Sequence, residues 1–234
     1  MSFATFWIED TFTSMPALPG FTANLTLDWD ELAEINHISR AEVNNRQMDG
    51  HRPYVARIYG QPVAYGWLAT SQMSIGELDI NVELPPDDRY LWDFATLPEW
   101  QGRGLYPRLL QSILEQEIQY AKRFWIIHAP ENLPSGAGMS KAGFEFVGQL
   151  SFTLNGKVGL APYPDSSERA RIGADLLQIP LIETILAPCW SCGGIAAKQP
   201  DKANVDSCWP PKRPSERKCS CTIEVKKSTL AASQ

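Results

Sequence analysis

The spacing of hydrophobic positions changes several times along the chain, and each change marks an element. Residues 21–28 alternate, with Phe21, Ala23, Leu25 and Leu27 set against Thr22, Asn24 and Thr26, which predicts a strand. Asp28 or Asp30 then caps a helix beginning near Glu31, whose stripe is Leu32, Ile35 and Ile38. A second, polar helix over 39–48 stops at Asp49-Gly50. Aromatic and β-branched runs at 53–59 and 63–70, separated by Gly60-Gln61-Pro62, predict a hairpin. Residues 75–84 alternate Ile75, Glu77, Asp79, Asn81 and Glu83 with Leu78, Ile80, Val82 and Leu84, which predicts a third strand with a polar face. After the turn Pro85-Pro86-Asp87-Asp88, residues 90–96 form an apolar strand broken only by Asp93.

That strand runs into Leu97-Pro98-Glu99-Trp100-Gln101-Gly102-Arg103-Gly104-Leu105-Tyr106-Pro107, a glycine-spaced turn that opens into a helix. Leu109, Leu110, Ile113 and Ile118 carry the helical period to about Lys122, and Pro107 is tolerated in the first turn. Amides at a helix N-terminus lack intrahelical partners and lie at the positive end of the macrodipole, so this turn is suited to an anion such as a pyrophosphate. A short apolar strand at 124–128, a brief helix at 135–142 stopped by Gly143, and a strand at 144–152 follow. The order is β, α, α, β, β, β, β, α, β, α, β, an α+β class. It predicts a central mixed, mostly antiparallel sheet flanked by helices, with a βαβ crossover only at its later strands. The expected organisation is an N-terminal segment over 1–20, one domain over 21–157, and a C-terminal extension over 158–234.

With 44% hydrophobic residues and eight Trp, 234 residues suffice for one substantial core and an appendage. The net charge of −6 divides unevenly, with +4 on residues 196–234 and −10 on the rest. An acidic body argues against nucleic acid and suits a cationic or amine-bearing molecule. Residues 1–20 carry Glu9 and Asp10 and no long apolar run, so a cytoplasmic location without a membrane span is expected.

Gln101-Gly102-Arg103-Gly104-Leu105-Tyr106 resembles the Gln/Arg-x-x-Gly-x-Gly/Ala signature of the GNAT superfamily of acyl-CoA-dependent N-acyltransferases, departing from it at Tyr106, where a small residue is usual. Asn132 and Ser135, then Lys141-Ala142-Gly143-Phe144, resemble the distal elements of that family in the same order. The resemblance spans about 21–157 and implies acetyl-CoA as cosubstrate. It assigns the backbone of Phe94, Ala95 and Thr96 to the pantetheine arm. It gives Gln101, Gly102, Arg103, Gly104, Leu105 and Tyr106 to the pyrophosphate, and Asn132 and Ser135 to the pantetheine or its thiol end. The implied reaction is direct attack of an amine on the thioester. A small molecule or peptide is the expected acceptor, and a homodimer is left open.

Such an attack needs a neutral amine, and for a Lys-like group of pKa about 10.4 deprotonation at pH 7 costs ~4.6 kcal/mol. Asp93 is the first candidate for a base or an amine-binding carboxylate, with Glu77 and Asp79 behind it. His128, at the end of the fifth strand of the resemblance, lies near the expected thioester, although packing is its commoner role. The family often carries a Tyr four residues before the Gly of Gly-Phe to protonate the departing thiolate. Here Met139 stands in that place, leaving Ser135, Ser140 or a water to substitute, or the chain to be a noncatalytic CoA-binding module.

All five cysteines lie downstream, as Cys189-x-x-Cys192, Cys208 and Cys219-x-Cys221. One Cys-x2-Cys knuckle with two further thiolates suits zinc, taking Cys189, Cys192, Cys208 and Cys219 as ligands. Disulfides and a loose tail are the alternatives, the latter because Pro, Ser and Lys accumulate after Gln199.

Overall fold

The computed structural model describes residues 1–153 and 157–183, with the backbone of Pro188–Cys189 and Gly194–Ile195. Strand β1 (Ser2–Trp7) comes first, followed by β2 (Phe21–Leu25). Helix α1 (Trp29–Asn36) is capped by Asp28, which accepts from the Glu31 amide at 3.0 Å, and α2 (Arg40–Met48) by Ser39, which accepts from Glu42 at 3.1 Å. Strands β3 (His51–Ile58) and β4 (Gln61–Ala69) form the expected hairpin. After β5 (Gln72–Ile75) and β6 (Ile80–Glu83) come β7 (Asp88–Thr96), α3 (Leu105–Glu117) and β8 (Arg123–His128). Helix α4 (Leu133–Ala142), β9 (Glu145–Phe152), β10 (Val158–Pro162) and α5 (Ser167–Leu177) complete the body.

Eight strands make one sheet in the order β10-β9-β1-β8-β7-β4-β3-β2, and only β7 and β8 pair in parallel. Helices α3 and α4 cover one face through Leu105, Leu109, Ile113, Met139 and Ala142. On the other face, α5 and the β5–β6 hairpin cover one half, and α1 and α2 cover the other around Trp67 and Tyr65.

Two elements differ from the sequence reading. Ser2–Trp7, assigned to a segment outside the domain, is a strand between β8 and β9, antiparallel to both. It escapes a search for alternation because both of its faces are buried. Phe3 stacks on Trp125 at 4.9 Å, Phe6 faces Phe144 at 6.0 Å, and the Thr5 hydroxyl donates to the Phe124 carbonyl at 2.9 Å. The single strand expected over 75–84 is instead the hairpin β5–β6, which reverses through a 3-10 turn at Gly76–Leu78 with Asp79 left-handed at φ 53°. Leu78, Ile80, Val82 and Leu84 are buried as the alternation implied, but Ile75, placed with the polar positions, is buried as well, because the parity of the buried face changes at the turn. Past residue 157, β10 pairs with β9, and α5 lays Ala170, Ala174 and Leu177 into the core.

One end of the β7–β8 pair is pinned by buried charge. Asp88 accepts from Arg123 at 2.8 Å and from the Trp125 indole at 2.8 Å. Nearby, the fully buried Glu117 takes Arg52 at 2.9 Å and the Tyr54 hydroxyl. Buried carboxylates persist only when paired in this way.

Candidate active site

From the pinned end, β7 and β8 stay together for four residues and then part. Their register runs from Asp88 opposite Arg123 to Leu91 opposite Ile126, whereas β7 follows β4 as far as Thr96 opposite Ala64. The cause is a bulge. The register with β4 shifts between Tyr65 and Trp67, and Asp93 sits left-handed at φ 50°, a conformation that aspartate tolerates better than most residues. Beyond it, the β8-facing edge of Phe94, Ala95 and Thr96 has no partner strand among the described residues, which makes it available to an extended ligand.

The chain then turns through a 3-10 segment, Pro98–Trp100, into the glycine loop. Gly102 and Gly104 adopt φ of 76° and 67°. At Gly102 an added Cβ would meet nothing within 4 Å, so glycine serves the left-handed backbone there and not a close contact. Gly104 is the N-cap of α3, and no side chain caps the first turn, so its amides are open to an external anion. Leu105 is a core residue and offers only its amide. Arg108 donates to the Gly104 carbonyl at 2.8 Å and to Pro16 at 2.7 Å, and Arg103 lies 4.7 Å over the Trp100 ring. The Gln101 side chain donates to the Thr96 carbonyl at 3.1 Å, tying the loop to the strand. An open first turn flanked by two arginines fits a pyrophosphate, and the buried Trp100 indole N–H beside it has no hydrogen-bond partner among the described residues.

Asn132 caps α4, accepting from the Ser135 amide at 3.2 Å. The Ser135 hydroxyl stands 3.4 Å from the Tyr106 phenol and 3.8 Å from the Met139 sulfur. Tyr106 therefore crosses from α3 to α4 with its ring edge-on to Phe94 at 5.6 Å. Burial pushes its phenol up to about 12.

On the opposite face of the sheet, Asp93 does not stand alone. Its carboxylate accepts from Arg46 at 2.5 Å and from Asn36 at 3.3 Å, and Asn36 in turn accepts from the Trp67 indole at 2.8 Å. The Arg46 guanidinium lies 4.6 Å over Trp92 and 5.0 Å over Trp67, and Glu42 holds it from one turn back at 3.0 Å. Tyr65 borders this cluster, and burial together with the Asp93 charge pushes its hydroxyl up to about 12. The sequence reading singled out Asp93 but not its partners. Arg46 lay in a helix read only as polar, and the indoles of Trp67 and Trp92 were read as strand apolars. Glu77 and Asp79, taken as a polar face beside β7, lie on the β5–β6 turn outside the eight-stranded sheet.

His128 ends β8 with its Nδ1 2.7 Å from the Ala129 carbonyl and its ring against Gly136, where a Cβ would come within 3.0 Å. Burial lowers its pKa, which favours the neutral imidazole, and Nδ1–H donating to that carbonyl leaves Nε2 as the acceptor. Among the described residues no group of three or more His, Cys, Asp or Glu could hold a metal ion, and no helix is long and apolar enough to cross a membrane. Cys192, Cys208, Cys219 and Cys221 lie outside the described residues, and of Cys189 only the backbone, in a two-residue strand, is described.

Residues 21–144 match the Acetyltransferase (GNAT) family. Among solved structures, a GCN5-related N-acetyltransferase from Kribbella flavida is 17% identical, with a TM-score of 0.43 over 62% of this chain and 53% of that one. The chain thus spans about half the length of that protein. An aminoglycoside acetyltransferase in complex with coenzyme A and kanamycin is 22% identical, with a TM-score of 0.46 over 64% of this chain and 99% of that one. The ribosomal-protein-S18-alanine N-acetyltransferase from Escherichia coli is 16% identical, with a TM-score of 0.43 over 59% and 88%. No curated protein matches the chain.

Proposed function

Because the chain belongs to the GNAT acetyltransferase family, its domain matching over residues 21–144, we propose that it transfers an acetyl group from acetyl-CoA to a primary amine by direct attack. The observation that carries this reading is the free β7 edge at Phe94, Ala95 and Thr96 leading into the uncapped first turn of α3. The cosubstrate supplies the acetyl group as an activated thioester. Phe94, Ala95 and Thr96 hold its extended arm by backbone hydrogen bonds. The loop from Gln101 to Leu105 and the main-chain amide of Tyr106, with Arg103 and Arg108, hold its pyrophosphate, and Asn132 and Ser135 approach the arm from α4. Amides at the splay stabilise the carbonyl oxygen as it gains charge.

The acceptor enters over Trp92 and Asp93, the partly exposed members of the cluster backed by Tyr65 and Trp67. With the Asp93 carboxylate committed to Arg46 and Asn36, we assign it to anchoring that cluster and not to removing the amine's proton. The consequence is a preference for amines that are already partly neutral. An α-amine of pKa about 7.8 presents roughly 350 times more neutral form at pH 7 than a Lys amine of about 10.4.

Calorimetry of acetyl-CoA on the wild type and on Gly104→Trp tests the cofactor site. Tight binding lost in the variant supports it, and equal affinity refutes it. Thiol release over an amine panel tests the reaction. A second reading, a CoA-binding module without turnover, draws on the buried Met139. Binding with no release for any amine would favour it.

A further inference from the structure

Attack on a thioester drives a sulfur anion away from the carbonyl carbon, and a donor placed where that charge develops lowers the barrier. Met139 offers none, being a thioether with no exposed surface. The hydroxyls gathered beside it are those of Ser135, 3.8 Å from its sulfur, and Tyr106, 3.4 Å from Ser135. Ser135 rises from α4, whereas the phenol comes across from the first turn of α3.

The place of the Tyr106 ring is set by α4 and β7. Gly138 on α4 leaves room for it, since a Cβ there would stand 2.4 Å from Tyr106 Cδ1. Phe94 on the free β7 edge supports it edge-on, and Phe94 itself needs Gly66 behind it, where a Cβ would lie 2.0 Å from its ring. The contact to Ser135 is long for an O–H···O bond, so the phenol is held loosely and can turn to a stronger acceptor.

Resting on the acyl-transfer reading above, we propose that Tyr106 is a catalytic residue that donates a hydrogen bond to the departing sulfur. The N–C bond forms, the C–S bond breaks, and its electron pair goes to sulfur. The amine's proton passes to solvent, and the phenol keeps its own. A phenol pushed up to about 12 lies above a thiol of ordinary pKa about 8.5, so full transfer of its proton to sulfur is disfavoured roughly 3,000-fold. Tyr106 thus acts by hydrogen bonding and stays protonated and neutral throughout the working range of pH.

The test is the ultraviolet thiolate band of CoA bound to the wild type and to Tyr106→Phe, titrated against pH with desulfo-CoA as blank. The variant keeps the ring and its packing. A charge-assisted hydrogen bond predicts a bound-thiol midpoint about one unit lower in the wild type, and a kcat for acetyl transfer about tenfold higher with the KM for acetyl-CoA within about twofold. Coincident midpoints overturn the proposal even if kcat falls. If the variant binds no CoA, the ultraviolet tyrosine band of the wild type decides: a shift induced by CoA and not by desulfo-CoA supports the contact, and identical spectra overturn it. Failure of the wild type itself to bind CoA or desulfo-CoA refutes the cofactor reading, a separate outcome.

Discussion

Replacing Gly66 by alanine tests how the bulge shapes the cofactor side of β7. The new Cβ would stand 2.0 Å from Phe94 Cε1 and 2.2 Å from Cδ1, against an ordinary carbon contact of about 3.5–4.0 Å. The ring must therefore withdraw by roughly 1.5 Å, toward Tyr106, whose ring centre is 5.6 Å away. Overpacking of this kind costs about 1–3 kcal/mol. The backbone works in the other direction, because Gly66 is not among the positive-φ glycines and alanine there reduces the entropy of the unfolded chain, stabilising by about 0.4–1 kcal/mol. Two opposed effects give a sign test. In the wild-type background Gly66→Ala should lower urea stability by about 1–2 kcal/mol; in a Phe94→Ala background, with the ring gone, it should be neutral or stabilising. Acetyl-CoA affinity should fall with Gly66→Ala in the wild-type background. An equal loss of stability in both backgrounds would refute the clash, and with it the claim that Gly66 sets the position of Phe94.

Phe3→Ala should cost about 3–5 kcal/mol in denaturant unfolding, as for a deeply buried aromatic, while Ile8→Ala, just past the strand and 41% exposed, should stay within about 0.5 kcal/mol. Equal effects would argue against β1 as an interior strand. Asp10 joins the end of that strand to α5 through a two-pronged contact with Arg169 at 2.6 and 2.7 Å. Burial alone would raise its carboxyl, but the Arg169 and Trp7 hydrogen bonds outweigh it and hold it below 3.8. Its contribution is present above that value and is lost as pH falls through the lower folded value, so acid titration of stability should be shallower below pH 4 in Asp10→Asn. Asp93→Asn should leave transfer to an α-amine within about threefold, whereas loss of a general base costs about 10²–10⁴-fold; steady-state rates at pH 7 and 9 distinguish the two.

Where an element carries its own chemistry, the sequence is enough to find it. Asp28, one of the two aspartates offered as the cap of the first helix, is its N-cap, and the glycine loop lies between an apolar strand and an amphipathic helix as its composition implied. What stayed hidden depends on distant partners. Ser2–Trp7 has no polar face to give it a period, since one side meets α4 and the other meets α5. The alternation over 75–84 looked continuous because Leu78, Ile80, Val82 and Leu84 keep one parity through the turn, whereas Met73 and Ile75 before it are buried on the other. Asp93 could be picked from its sequence as a lone charge in an apolar strand, but its ion pair could not. Arg46 reaches it from 47 residues away, and only the fold stacks that guanidinium on Trp67 and Trp92.

The position of β1 bears on how the sheet is assembled. Ser2–Trp7 is synthesised before every other strand described, yet it lies between β8 and β9, with Ser2 opposite His128 on one side and Gln149 on the other. The β2–β3–β4 meander can form from neighbours in sequence, but the seam that joins β9 and β10 to the rest is closed by β1, a segment more than a hundred residues earlier in the chain. Such long-range closure slows folding and leaves the edges of β8 and β9 unpaired in the meantime. A bulky fusion placed just ahead of Ser2 would therefore burden the last step of folding, and yield on refolding should respond to it more strongly than the stability of the finished protein.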